Sequence, residues 1–257
     1  FVNQGFDSAI SGQYTIWCAS AMVLIVSTIL YTNLKKGAPA QVTKKGSYFS
    51  TLAIAFKEAR NPRVALAYTA GVVSRGDLSV VSTFFSLWLF NEAITMDMSR
   101  AEAFKLSTGF YVMVQAFAIP GAVLINFFID KVDRVMALAI SMFIAACGYL
   151  YLGFIDDIFS KQMYFGAALL GLGEIFANIS AISLIGSAAP AKGRGAVIGG
   201  FSFFGAIGIL LVASIGGYLF DNVGPTAPFT MVGFANVALL ILALLLLFFE
   251  GRKNNLN

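Results

Sequence analysis

Arg75 and Asp77 sit inside one long apolar run of this sequence, and Glu174 sits inside another. Each is near the middle of a stretch long enough to cross a bilayer. An ionisable side chain there costs roughly 2.5–3.5 kcal/mol on the insertion scale, and more in simulations. Groups kept at that cost usually face a water-filled path or a partner charge. At that depth the Glu174 carboxyl can load and release a proton, with Asn178 one turn on as a hydrogen-bonding neighbour. Arg75 can hold an anion or a carboxylate, or serve as the charge partner of Glu174. Residues two apart on a helix point about 200° from each other, so Arg75 and Asp77 are poor partners. Arg75 shares a polar stripe with Tyr68, Gly71, Ser79, Ser82 and Ser86. Asp77 shares a packing face with Leu66, Ala70, Val73, Phe84 and Trp88. It is expected to be a structural charge, paired with a basic residue or a helix end.

The elements that position these residues are apolar helices. The chain is 58% hydrophobic and 12% charged, with a mean hydropathy of +0.82. A soluble domain carries about a quarter charged residues. The apolar residues form seven runs, each near the ~20 residues that cross hydrocarbon. We place them at Thr15–Tyr31, Val64–Phe90, Leu106–Ile129, Val135–Phe154, Met163–Ala188, Ala196–Phe220 and Phe229–Phe249. The fold class is an all-α integral membrane protein. Residues 1–32 hold the first span. Residues 33–63 are a basic linker, in which Phe49, Leu52, Phe56 and Ala59 have the spacing of a helix lying on the membrane face. Residues 64–257 hold six more spans joined by short loops. The sequence opens on Phe1 rather than Met, and a partial chain is expected.

Charge gives the orientation. Lys35, Lys36, Lys44, Lys45, Lys57, Arg60, Arg63, Lys131, Arg134, Lys192, Arg194, Arg252 and Lys253 fall on one side of the alternating spans. Arg100, Lys105 and Lys161 fall on the other, beside Glu92, Asp97, Glu102, Asp156, Asp157 and Asp221. By the positive-inside rule the N-terminus is outside and the C-terminus cytoplasmic, in what we expect to be the cell's inner (plasma) membrane. The net charge of +4 is then a topology signal, and no nucleic-acid partner is needed to explain it. Histidine is absent, which removes histidine-based acid–base catalysis and most zinc or haem ligation. Cys18 and Cys147 lie in different spans and read as apolar core residues. No nucleophile cluster suggests an enzyme, and no metal or cofactor is implied.

Polar residues are unevenly spread. Thr108, Tyr111, Gln115 and Asn126 form a stripe on the third span, where Pro120-Gly121 should bend the helix. The fourth and seventh spans carry little beyond Ser141 and Asn236, and are expected to face lipid. The sixth is rich in small residues, including Gly195-x-x-x-Gly199, Gly205, Gly208 and Gly216-Gly217, which suits close packing. The two apolar spans are the third of each triplet, the pattern of two three-helix repeats around a cavity.

With these features the chain resembles the carboxy-terminal half of a major facilitator superfamily transporter: the last helix of the first half, the central linker and the whole second half. The run Arg194-Gly195-Ala196-Val197-Ile198-Gly199-Gly200, continuing to Gly216-Gly217-Tyr218-Leu219-Phe220-Asp221 and Gly224, is similar to the eleventh helix and following loop of many members. Asn126-Phe127-Phe128-Ile129-Asp130-Lys131-Val132-Asp133-Arg134 stands where the loop signature of the second half belongs. Asp130, Lys131 and Arg134 match the family's pattern; Asn126 and Asp133 replace its two glycines. The resemblance implies alternating access, with a solute site near mid-membrane between two halves. It implies that the second, third, fifth and sixth spans line the cavity.

The expected function is secondary transport of a small organic solute, coupled to protons. Arg75, Glu174, Asn178, Gln115, Tyr111 and Asn126 are the expected substrate and proton pathway. Asp130, Lys131 and Arg134 form the expected gating loop, steadying one state rather than touching solute. The expected partners are the solute, protons, the lipid bilayer and the N-terminal half of the same protein. A seven-helix receptor is the competing class, and Asp133-Arg134-Val135 imitates its cytoplasmic motif. The last span lacks the matching Asn-Pro-x-x-Tyr pattern, and the basic linker is wrong for that class. A retinal protein would need a lysine in Phe229–Phe249, which has none.

Overall fold

Backbone groups in hydrocarbon must bond to one another, and a helix does this within one segment. The computed structural model describes residues 8–33, 48–155 and 157–254, and among them the regular structure is helical. Among the described residues, seven helical spans are long and apolar enough to cross a bilayer. Helix α1 (Ser8–Asn33) belongs to a separate compact unit from the rest of the chain. Residues 34–47, which include Lys35, Lys36, Lys44, Lys45 and Gly37-Ala38-Pro39, lie outside the described residues, as do Asp156 and the side chain of Phe49.

The second unit begins with α2 (Tyr48–Glu58). This helix docks on protein: Ala55 is buried, and the Tyr68 hydroxyl donates to its carbonyl at 3.2 Å. Tyr68 therefore locks α2 in place and does not line an open stripe. The next span starts at Asn61, whose side chain accepts from the Arg63 amide, with Pro62 at the first helical position. It runs as α3 (Pro62–Ser79), a π-helical turn (Val80–Phe85) and α4 (Ser86–Thr95). The π turn keeps Phe84, Phe85, Trp88 and Leu89 buried while Ser82 and Thr83 stay exposed.

Ser99 and Glu102 form a capping box that starts α5 (Arg100–Ile129), and Pro120 does not interrupt that helix. Asp133 caps α6 (Arg134–Gly153) by accepting from the Val135 amide at 2.8 Å. After α7 (Lys161–Ala188), Gly193 takes φ +90°, a conformation that favours glycine, and opens α8 (Arg194–Asn222). Helix α9 (Ala227–Asn254) completes the bundle.

The first span of each triplet packs on the second of the other, α3 on α8 and α7 on α5, and the third spans α6 and α9 pack on each other. That exchange is what two three-helix repeats require. It also corrects one expectation. The fourth span does not face lipid, since α6 is the most buried of the described spans; the seventh, α9, keeps an exposed apolar face that includes Phe234, Ile241, Leu245 and Phe248 and buries Asn236. The scarcity of polar residues in α6 reflects a dry helix–helix seam.

Glycine sets the closest approaches. A Cβ at Gly208 would lie 2.1 Å from the Val72 carbonyl oxygen of α3, and one at Gly171 would lie 2.2 Å from that of Val114 in α5. Gly195, Gly199 and Gly217 have nothing within 4 Å. The packing face of α8 is thus Gly200, Gly205, Gly208 and Gly216, not the Gly195-x-x-x-Gly199 pair. At the ends of α3 and α9, Arg63 forks onto Glu250 at 2.9 and 2.7 Å, and it also reaches Asp133 at 3.0 Å.

Gly208→Ala should push α8 off α3 and destabilise the protein by about 1–3 kcal/mol, the usual cost of overpacking. Gly199→Ala should be neutral or better, since alanine is the stronger helix former by roughly 1 kcal/mol. Apparent thermal midpoints of the purified variants check this; equal midpoints would refute the contact. A double-mutant cycle across Arg63 and Glu250 should return roughly 0.2–1 kcal/mol, because both groups are partly solvated. Arg63→Lys should lose much of that coupling with the fork; a coupling of zero would deny the bridge any energetic role.

Candidate functional site

Helix α7 delivers Glu174 to the interior, where it is 5% exposed and its Oε2 has no hydrogen-bond partner. Two contacts fix its depth. Gly171, three residues earlier, lies against the Val114 backbone of α5, and Gly173 lies against Ala145 of α6. The first contact brings Gln115 to a similar depth on α5. Gln115 and Tyr111 are half-buried. Asn178, one turn beyond Glu174, is half-buried, and its Oδ1 is enclosed without a partner. Asn126 is exposed, and its amide donates to the Ala122 carbonyl of its own helix at 2.7 Å.

Arg75 is half-buried and makes no ion pair or hydrogen bond among the described residues. Its aliphatic stem packs at Gly205 of α8, where a Cβ would meet Arg75 Cγ at 2.8 Å. The Arg75–Glu174 pair is therefore not formed. Glu174 sits among α5, α6 and α7, whereas the stem of Arg75 is held in the α3–α8 seam.

Asp77 has no exposure and is held by an amide, contrary to the basic partner or helix end expected for it. Asn236 Nδ2 donates to its two carboxyl oxygens at 3.1 and 3.3 Å, and to the Val232 carbonyl at 3.0 Å. Three acceptors around Nδ2 fix the orientation of that amide, and they leave Asn236 Oδ1 buried with no partner. Asp77 also lines a cavity of about 160 Å³ between α3, α8 and α9, among Val72, Gly208, Val212 and Met231.

Tyr149 of α6 completes the polar interior. It is fully buried, and its hydroxyl has no partner. Its neighbour Leu150 packs against Gly233 of α9, which sets Tyr149 near the depth of Asn236. Asp77 and Glu174 lie within electrostatic range of each other and of Tyr149. The structure thus gathers Glu174, Asp77, Asn236 and Tyr149 in one interior. Sequence reasoning missed Tyr149 and Asn236. Tyr149 was concealed within an apolar run, and the signal for Asn236 was its isolation: a lone amide in a dry span needs a partner.

The gating-loop residues form a tight corner. Arg134 donates to the Ile129 carbonyl at 2.7 Å and to Asp130 at 3.0 Å, closing the end of α5. Lys131 is exposed. No described residue from 126 to 134 has positive φ. The turn therefore needs neither glycine of the family pattern, and Asp133 serves as the cap of α6. At the corresponding corner between α7 and α8, Arg194 donates to the Gly186 carbonyl.

Comparison with known proteins bears on this arrangement. The chain is 31% identical over 191 residues to magnetosome protein MamH of Paramagnetospirillum magneticum strain AMB-1, across 74% of this chain and 44% of MamH. It is 26% identical over 223 residues to magnetosome protein MamZ of the same organism, across 86% of this chain and 35% of MamZ. Against magnetosome protein MamZ of Magnetospirillum gryphiswaldense strain MSR-1 it is 28% identical over 173 residues, across 67% of this chain and 27% of that protein. The chain spans less than half the length of each of these relatives. Residues 113–257 match the Major Facilitator Superfamily. The match runs from the middle of α5 to the end of the chain, through the corner built by Asp130 and Arg134 and the glycine face of α8, and on that ground the chain belongs to the major facilitator superfamily.

Proposed function

We propose that this chain supplies the second half of a secondary transporter that moves a small organic solute by alternating access and couples that movement to protons. Residues 64–257 form the six-helix half, residues 33–63 the cytoplasmic linker, and residues 1–32 the last helix of the first half. Its partner is the N-terminal half of the same protein, and solute binds between the two. The N-terminus lies outside and the C-terminus in the cytoplasm. The observation that carries the reading is Glu174, a carboxyl at mid-span, nearly closed off from solvent, with an unpartnered oxygen and no cation bonded to it. Such a group exchanges protons with whichever side the half opens to. Arg75, free of any ion pair in this arrangement, is left to meet an anionic group of the solute. Gln115, Tyr111 and Asn178 contribute hydrogen bonds, and Asn126 the far end of the α5 stripe. Asp130, Lys131 and Arg134 steady one of the two states.

We place the transporter in the plasma membrane. The names of its relatives attach them to the magnetosome, so a magnetosome membrane is the second address, and membrane fractionation with an epitope-tagged chain separates the two.

In proteoliposomes holding the full-length protein, a panel of labelled small organic solutes under an imposed proton gradient should reveal accumulation. Glu174→Gln should abolish that accumulation and keep solute exchange at equilibrium. Unchanged dependence on the gradient in this variant would overturn the proton role of Glu174.

A further inference from the structure

We propose that Asp77 and Asn236 form a second proton-binding site within this half, in which a proton taken up by the Asp77 carboxyl is held against the Asn236 carbonyl. The donor–acceptor balance carries the proposal. Asn236 Nδ2 already serves three acceptors, while Asn236 Oδ1, on the same fully buried amide, has no donor. A carboxylate at position 77 has no donor to offer it. A carboxylic acid has one. With a proton on one oxygen, a rotation that takes that oxygen off Nδ2 lets Asp77 donate to Asn236 Oδ1 and still accept from Nδ2 on its other oxygen. This is the cyclic acid–amide pair, which satisfies both groups. An ionised Asp77 would instead be a buried charge held only by the single amide nitrogen of Asn236, shared between its two oxygens at 3.1 and 3.3 Å, with no cation, at a cost of several kcal/mol.

The charged and titratable groups around Asp77 are few. Glu174 faces it from α7 and Tyr149 from α6, and neither supplies positive charge. Arg75 shares its helix but points about 200° away, with its stem held at Gly205. The faces of α8 and α9 toward Asp77 offer Gly208, Val212, Met231 and Val232, which do not titrate. A cavity of about 160 Å³, apolar apart from Asp77 itself, lies beside the carboxyl on the α8 and α9 side. The chemistry is simple: the carboxylate gains H⁺, one O–H bond forms, and the site goes from a charge of −1 to neutral.

The site extends the proton-coupled reading but is tested on another residue. The measurement is the pH-difference infrared spectrum of the full-length protein in nanodiscs, read at the carboxylic-acid C=O stretch. A band that is absent in Asp77→Asn and present in Glu174→Gln is expected. In Asn236→Leu that band should shift, because the acid loses its acceptor. A spectrum of Asp77→Asn identical to wild type would overturn the site, and so would a band unmoved in Asn236→Leu. The second variant keeps Asp77, so the test survives a poorly folded first one. Failure of the Asp77 band alongside lost accumulation in Glu174→Gln would remove this site and leave the transport reading standing. The Asp77 band with unaffected accumulation in Glu174→Gln would do the reverse.

Discussion

Backbone-to-backbone contact at glycine governs this bundle. Gly208 against the Val72 carbonyl and Gly171 against that of Val114 hold α8 on α3 and α7 on α5 at distances that no side chain would allow. Lipid tails are as apolar as leucine, so helices gain little by hiding apolar surface from lipid, and close van der Waals packing has to hold them together. The two contacts lie in equivalent seams, each joining the first span of one triplet to the second span of the other, with the glycine on the second span in one and on the first span in the other. They also set the register. Gly171 and Gly173 fix the depth of Glu174, and Gly208 fixes the stretch of α3 that carries Arg75 and Asp77. The polar interior is a consequence of where glycines allow backbones to meet.

Much of this was legible in the sequence, because a bilayer makes length and apolarity decisive. All seven spans could be read from composition, and so could the link between Glu174 and a buried environment. The error over α6 has a clear physical source. In water, an apolar face implies burial. In lipid, an all-apolar helix is equally at home in a seam or against acyl chains, so composition could not tell which. Glycine position was legible in part: Gly205, Gly208 and Gly216 pack closely as their abundance suggested, whereas Gly195, Gly199 and Gly217 do not. Gly195 and Gly199 have the spacing of a contact pair, but the neighbours that decide which glycines are used belong to α2 and α3. The partner of Asp77 lies 159 positions away in sequence, beyond the reach of helical periodicity. The angular separation of Arg75 and Asp77 needed only local geometry and could be drawn from the sequence.

The π turn at Val80–Phe85 shows how local irregularity serves the interior. A helix continued at 3.6 residues per turn would advance its faces by a fixed angle, whereas a wider turn offsets them. The offset lets Val80, Val81, Phe84, Phe85, Trp88 and Leu89 all stay buried, and Phe85 and Trp88 both pack on Phe229 of α9. The serine stripe read from a regular helix is interrupted at this point. Asp77 lies just before the turn, so its meeting with Asn236 rests on regular helix, while the half of the span that follows the turn packs on its own terms.

Stability alone would not preserve the polar groups of this interior. Replacing a buried polar pair with well-packed apolar residues is often neutral or stabilising. Asp77 with Asn236, Glu174 and Tyr149 could be exchanged for leucine-like side chains within a bundle that glycine contacts already hold. In the arrangement seen, Ser74, Tyr149, Glu174, Asn178 and Asn236 each carry a buried side-chain atom without a partner. A static core would be expected to lose such groups or to satisfy them. Their presence in one bundle is what the proposed alternating-access transport would require of a core whose hydrogen bonds change between states. Glu174 is the carboxyl of that set; its bonding, like that of Asp77, which bonds to Asn236, can change by gaining or losing a proton while the helices stay in place. In that view the packing contacts hold the frame constant, and the polar interior is where its states differ.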